Sequence, residues 1–206
     1  NKKKPEGGRK SAYVARNRAA ILNATLVVLA EHGKEATVEQ VAEQAQMALS
    51  TVYKHFKNKE ELVIETILDS FEKWEAGVES QASQFKDPLE RLVYPMRLFV
   101  RLNKTHPHHA QTLVNYFDVV AKIVPLLQSK LIGHIEELSK AKLVSVDDPS
   151  VAARNMHAVM TFAVITQVTN PKSKESDGDS AVRVALSMLG ISESKAKKLT
   201  ETKINL

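Results

Sequence analysis

TVEQVAEQAQMALSTVYKHFKNKEEL, residues 37–62, holds two short helices and the start of a longer one. Thr37 offers its hydroxyl to the backbone of the first. Gln40 stands three positions later, the spacing at which an amide reaches back to the cap residue and closes a capping box. Val38, Val41, Ala42 and Ala45 repeat at helical spacing and define one apolar face. Gln46, Met47 and Ala48 separate that helix from the next, expected over about Leu49 to Phe56. Lys57, Asn58 and Lys59 break the pattern again, and Lys59 leads into an amphipathic helix that continues to about Glu79. Two short helices joined by a three-residue turn, behind a longer helix, are the outline of a helix-turn-helix.

The turn of about 100° per residue sorts the side chains of the second short helix. Val52 and Phe56 share one face, Ser50 and Lys54 point away from it, and Leu49 with Tyr53 and Thr51 with His55 occupy the flanks. With Val52 and Phe56 turned to the core, Ser50 and Lys54 face outwards towards base edges. The flanking hydroxyls and imidazole are then set to meet phosphates, which position a protein on DNA, while the outermost side chains read sequence.

In front of this segment a helix is expected from about Tyr13 to His32, stopped by Gly33. Before it, NKKKPEGGRKSA predicts a flexible basic arm, residues 1–12. Its Lys2, Lys3, Lys4, Arg9 and Lys10 suit the minor groove or the phosphates beside it. Behind the segment, prolines sit where helices can begin: Pro88, Pro107, Pro125 and Pro149. Helices are expected at about 88–104, 107–117, 122–142, 149–169, 181–189 and 192–202, with Pro95 kinking the first or marking its true start. Asn170 to Ser180 lacks an apolar anchor and is expected as a flexible loop. The organisation expected is an arm over 1–12, a helix-turn-helix domain over 13–58 and a larger helical domain over 59–206. With few aromatics and recurrent Ala, Leu, Lys and Glu, the fold class is all-α.

The net charge of +5 is concentrated at the front: residues 1–62 carry +4 of it, and the first eighteen hold seven basic residues against one acidic. A basic head on a near-neutral body suggests a polyanion-binding N-terminus, and beside a helix-turn-helix the expected partner is double-stranded DNA. Two readings stay open: a sequence-specific regulator, and a sequence-indifferent DNA-organising protein dominated by its arm. Catalysis is not expected, because the chain has no cysteine, no HExxH, no GxSxG and no phosphate-cradling glycine loop. His106, His108 and His109 diverge around a helix and have no carboxylate or cysteine pattern beside them, so no metal or cofactor is expected. The stretch from Ala19 to Ala30 is broken by Asn23 and Thr25 and has helical spacing, which argues against a secretory signal. No run is long enough for a membrane span, and the expected location is cytoplasmic, on the nucleoid.

Thr37 to Ala45, Met47, the Thr51-Val-Tyr-Lys-His-Phe56 segment and its Lys59-Glu-Glu-Leu62 sequel together resemble the tetracycline-repressor (TetR) family over roughly residues 15–65. The resemblance implies an all-helical homodimeric repressor with a small DNA-binding domain and a larger ligand-sensing one. It implies phosphate contacts from Thr37, Thr51, Tyr53, His55 and Lys59, with Leu49, Ser50 and Lys54 nearest the bases. Three positions depart from the family pattern: Gln46 and Ser50 replace frequent glycines, and Ala48 replaces a capping serine. Glu39 either accepts from a cytosine amino group or simply favours the positive end of its helix. The resemblance also implies a cavity for a small-molecule effector among the helices of 88–169. Met96, Phe99, Val100, Leu113, Tyr116, Phe117, Met156 and Met160 are its candidate walls, and Asn103, Gln111, Asn115 or His157 its polar anchors. The alanines of the helix at 149–169, with the helix at 181–189, suit a dimer interface.

Overall fold

The capping box at Thr37 forms as its spacing predicts: the Gln40 N–H donates to the Thr37 hydroxyl at 3.2 Å, and the Thr37 N–H donates to Gln40 Oε1 at 2.8 Å. The computed structural model describes residues 6–202 and 204, and these residues contain twelve α-helices, a single 3-10 turn and no strand. The chain divides into two compact units, one ending at Ser70 and the other starting at Phe71.

The first unit contains α1 (Glu6–His32), α2 (Val38–Gln44), α3 (Leu49–His55) and the opening turns of α4 (Lys59–Ala82). Ile21, Leu22, Val28 and Leu29 of α1 repeat every seven to eight residues and are buried. Val38 and Val41 of α2, Val52 of α3, Phe56 and Leu62 are buried with them. Arg18 ion-pairs with Glu65 and lies 5.4 Å over the Phe56 ring, so one guanidinium ties α1 to α4 and to the end of α3. The turn after α2 is a Schellman motif: the Met47 N–H donates to Ala42 O and the Gln46 N–H to Glu43 O, both at 2.9 Å. Gln46 closes it with φ of 53°, a left-handed conformation that costs a non-glycine residue about 1 kcal/mol.

Two expectations for this unit are corrected. The helix expected from about Tyr13 begins at Glu6, so Arg9 and Lys10 are carried on α1 and not on a flexible arm. Glu6, Arg9, Lys10 and Ala12 are good helix formers, and extending an existing helix needs no new nucleus, so Gly7 and Gly8 do not stop it. Lys2, Lys3 and Lys4 lie outside the described residues. The division between units falls inside α4 and not at its start.

The second unit holds the rest of α4, then α5 (Pro88–Phe99), α6 (Leu102–Thr105), α7 (Pro107–Asn115), α8 (Phe117–Leu127), α9 (Ser129–Lys140), α10 (Pro149–Thr169), α11 (Glu175–Ser187) and α12 (Glu193–Glu201). Pro88 and Pro149 open their helices behind Asp87 and Asp148, whose carboxylates accept first-turn N–H groups. Pro125 does not begin a helix. It lies inside α8, which ends two residues later, so the single helix expected at 122–142 is two. Val100, Ala153, Met156, Val164, Val182, Ala185 and Leu186 form the heart of the core, where α10 packs along α11.

The loop expected at Asn170–Ser180 is half helix. From Glu175 the chain is in α11, where Gly178 is so close to α10 that a Cβ there would lie 2.8 Å from Gln167 Nε2 and 3.0 Å from Val100 Cγ2. One residue on, Asp179 accepts from Arg97 Nε at 2.9 Å and from Arg101 Nη2 at 2.6 Å. Both guanidinium groups are buried. An ion pair and a close backbone approach anchor this segment in place of apolar side chains.

Candidate nucleic-acid interface and ligand cavity

On α3 the inward face is Val52, fully buried, with Phe56 beyond it. Ser50 and Lys54 are exposed on the opposite face, Tyr53 is 48 % exposed, and Leu49, Thr51 and His55 are half-buried on the flanks. Ala48 provides no side-chain cap to α3. Thr37 is exposed at the head of α2, with Glu39 exposed in the same first turn. Lys59 donates from Nζ to the Lys34 carbonyl at 2.9 Å, which ties the start of α4 to the turn that follows α1. The first turn of α4 is already occupied: Asn58 Oδ1 accepts the Glu61 N–H at 2.8 Å, and the Glu61 carboxylate accepts the Lys57 N–H. The Lys59 ammonium keeps two further protons to offer. The side chain of Arg9 is outside the described residues, and Lys10 is exposed.

The second unit contains a cavity of about 240 Å³. Met96, Phe99 and Met160 line it, and His157 is the polar candidate on its wall. Val100 and Met156 are fully buried in the core without reaching it. Leu113 and Tyr116 are buried away from it, and Phe117 is exposed. Burial, helped by Asp118, raises the Tyr116 hydroxyl above its ordinary value. Asn103 donates to the Gln167 carbonyl instead, while Gln111 and Asn115 bond each other. Much of the remaining wall comes from residues the sequence reading did not single out: Phe71, Trp74, Val78 and Ala82 of α4, Leu92 and Pro95 of α5, and Leu127 and Leu131. The α4 set falls at intervals of three and four residues, so a stripe was legible there, but nothing local says that it faces a cavity.

Charge is confined to the mouth of the cavity. Lys130 lies 2.8 Å from Glu79 and 3.0 Å from Glu75, and these hydrogen bonds hold its ammonium above, and the Glu79 carboxyl below, their ordinary values. Arg91 and His134 are exposed on the same rim. Inside, burial pushes the His157 imidazole down to about 4, so it is uncharged at neutral pH.

A family model described as bacterial regulatory proteins, tetR family, matches residues 21–66, the segment that contains the capped α2, the Schellman turn and α3. Over that segment the chain is similar to the TetR family. Among curated proteins, the chain is 26% identical over 134 residues to the HTH-type transcriptional repressor KstR of Mycolicibacterium smegmatis, a match that spans 65% of each chain. Among solved structures it resembles RolR in complex with resorcinol, with a TM-score of 0.78 at 15% identity over 95% of this chain and 98% of that one. It also resembles FadR from Bacillus subtilis in complex with stearoyl-CoA, with a TM-score of 0.69 at 20% identity over 82% and 98%. At these identities the likeness to solved structures is one of fold, and it extends over both units of the chain.

Proposed function

We propose that the protein is a ligand-responsive, sequence-specific transcriptional repressor that binds a near-palindromic operator as a homodimer, on the nucleoid in the cytoplasm, and is released by a small-molecule effector. The observation that carries this reading is the face of α3: Ser50 and Lys54 are exposed, while Val52 and Phe56 behind them are buried. In a dimer the two copies of α3 would meet successive major grooves about 34–36 Å apart. Leu49, Ser50 and Lys54 would lie nearest the bases, with Thr37, Thr51, Tyr53, His55 and Lys59 on the phosphates and Lys2, Lys3, Lys4, Arg9 and Lys10 extending the basic footprint.

The dimer would form through α10 and α11, which expose Val151, Phe162 and Val184 on their outer sides. Ala152 and Ala153, expected at that interface, are turned to the core of their own unit, and Ala158 is exposed. The cavity is the proposed effector site. The relatives that carry bound resorcinol and stearoyl-CoA support a small-molecule effector of this fold without naming this one. One helix, α4, supplies both Lys59 and the cavity residues Phe71, Trp74 and Val78. An effector that binds better when the two DNA-binding heads are wrongly spaced shifts the population away from DNA by that difference in affinity.

The face assignment is tested with two variants against a panel of duplexes. Tyr53→Phe removes a phosphate contact and is expected to weaken binding to all duplexes by the same factor. Lys54→Ala is expected to change the preference at one base position by about 1–3 kcal/mol. Equal effects of both variants across all duplexes would contradict the assignment.

A further inference from the structure

His157 is only 8 % exposed, and its ring touches Phe99 with centroids 5.7 Å apart. Among the described residues neither of its nitrogens has a hydrogen-bond partner, and burial is the only influence on its titration. The space this imidazole faces is the cavity. A molecule in the cavity can bring the hydrogen-bond partner that the protein does not supply.

We propose that the cavity takes an uncharged, mainly aromatic molecule that carries one hydroxyl or carbonyl group, and that His157 reads that group. The inference rests on the reading of this cavity as the effector site. A neutral imidazole presents one donor and one acceptor, so it accepts from a hydroxyl or donates to a carbonyl, but has no charge to offer an ion. The inner wall is Phe71, Trp74, Leu92, Met96, Phe99 and Met160. An ionised group among them would be desolvated without a counter-charge. At the mouth, Lys130 is already engaged by two carboxylates, and Glu75 and Glu79 offset the positive charge of Lys130 and Arg91. Size narrows the class further. A cavity of about 150 Å³ holds one benzene, so 240 Å³ holds about ten non-hydrogen atoms, one or two rings. The three aromatic side chains offer edges and faces to such rings, and the two methionine thioethers adapt to their outline.

Trp74, the chain's single tryptophan, lines this cavity and lies 5.7 Å from Phe99, so its fluorescence reports occupancy without a label. The test titrates the full chain, without DNA, with 4-ethylphenol, ethylbenzene and 4-ethylbenzoate, exciting tryptophan selectively. The phenol is expected to bind at least tenfold more tightly than either of the others. In His157→Leu that advantage is expected to vanish while ethylbenzene still binds, which also shows that the variant keeps its cavity. Tightest binding by the benzoate, no response of Trp74 to any of the three, or a phenol advantage that survives in His157→Leu would overturn the inference. If the variant does not fold, the ranking on the wild-type chain decides it. DNA binding is measured separately. A phenol that binds without weakening DNA binding sinks the effector role and leaves the ligand class standing. A different class of compound that releases DNA while Trp74 ignores the phenol sinks this inference and leaves the repressor reading standing.

Discussion

Asp179→Ala is expected to lower stability by about 3 kcal/mol, read as a fall in the urea midpoint at fixed protein concentration. The carboxylate sits between the buried guanidinium groups of Arg97 and Arg101, and its removal leaves two desolvated cations facing each other. Breaking a buried pair typically costs about 3–5 kcal/mol, and the lower figure applies because Glu175 remains 3.6 Å from Arg101. The Arg97 Nη1 bond to the Thr202 carbonyl and the Asp179 bonds together tie α5, α11 and the end of α12, so the loss is felt across three elements. Lys130→Ala removes exposed pairs and is expected to cost at most about 1 kcal/mol, which makes it the control. The pH dependence follows the same carboxyl. Burial raises the Asp179 value, but the hydrogen bonds and charges of Arg101 and Arg97 outweigh it and hold it below its ordinary range. The folded state therefore favours the ionised form. The contribution is fully present above the unfolded value of about 3.9 and is lost as pH falls through the lower folded value. Equal urea midpoints for Asp179→Ala and Lys130→Ala would contradict the placement of the ion pair in the core.

Phe162→Asp is expected to separate the proposed dimer. Phe162 is 65 % exposed on α10, with Val151 on the same helix and Val184 on α11 also exposed, a face that no other described residue covers. A carboxylate there faces its own copy across a two-fold axis, which combines lost apolar burial with like-charge repulsion. Light scattering is expected to give twice the 22.9 kDa chain mass for the wild type and a single chain for the variant. Because two linked heads hold an inverted repeat more tightly than one head holds half of it, operator affinity is expected to fall by about a hundred- to ten-thousandfold. The circular dichroism of the variant should be unchanged, since Phe162 contributes little to the fold of its own chain. A dimer that persists with unaltered affinity would locate the interface elsewhere.

The parts of this protein that were legible in its sequence are those decided by neighbours along the chain. Thr37 and Gln40 are three residues apart, and both bonds of their capping box form. Val52 and Phe56 are four apart, and both are buried as the helical repeat requires. The helix from Pro149 to Thr169 was bounded by a proline at one end and polar residues at the other. What escaped was decided at a distance. Asp179 meets arginines 78 and 82 positions earlier, so its segment read as a solvated loop when it is a pinned helix. The cavity draws Phe71, Trp74 and Val78 from α4, outside the 88–169 stretch expected to supply its walls, because a periodic apolar stripe shows which way a helix faces and not what lies opposite. The sequence offers His157 as one of four polar anchors, and the fold separates it from the rest: His157 lines the cavity, whereas Asn103 is bonded to a backbone carbonyl and Gln111 and Asn115 bond each other. Gln46 holds the turn in a conformation usually given to glycine, a choice that the Schellman hydrogen bonds explain and composition does not.

The central claim is that this chain reads DNA sequence as a dimer. Binding of the purified protein to a pool of random duplexes at moderate salt, followed by selection and sequencing, tests it most directly. The account predicts recovery of an inverted repeat whose half-sites are centred about one helical turn apart or a multiple of it. Salt-sensitive binding with no enriched motif would contradict it, because phosphate contacts alone carry no sequence information, and would make the protein a DNA-organising one.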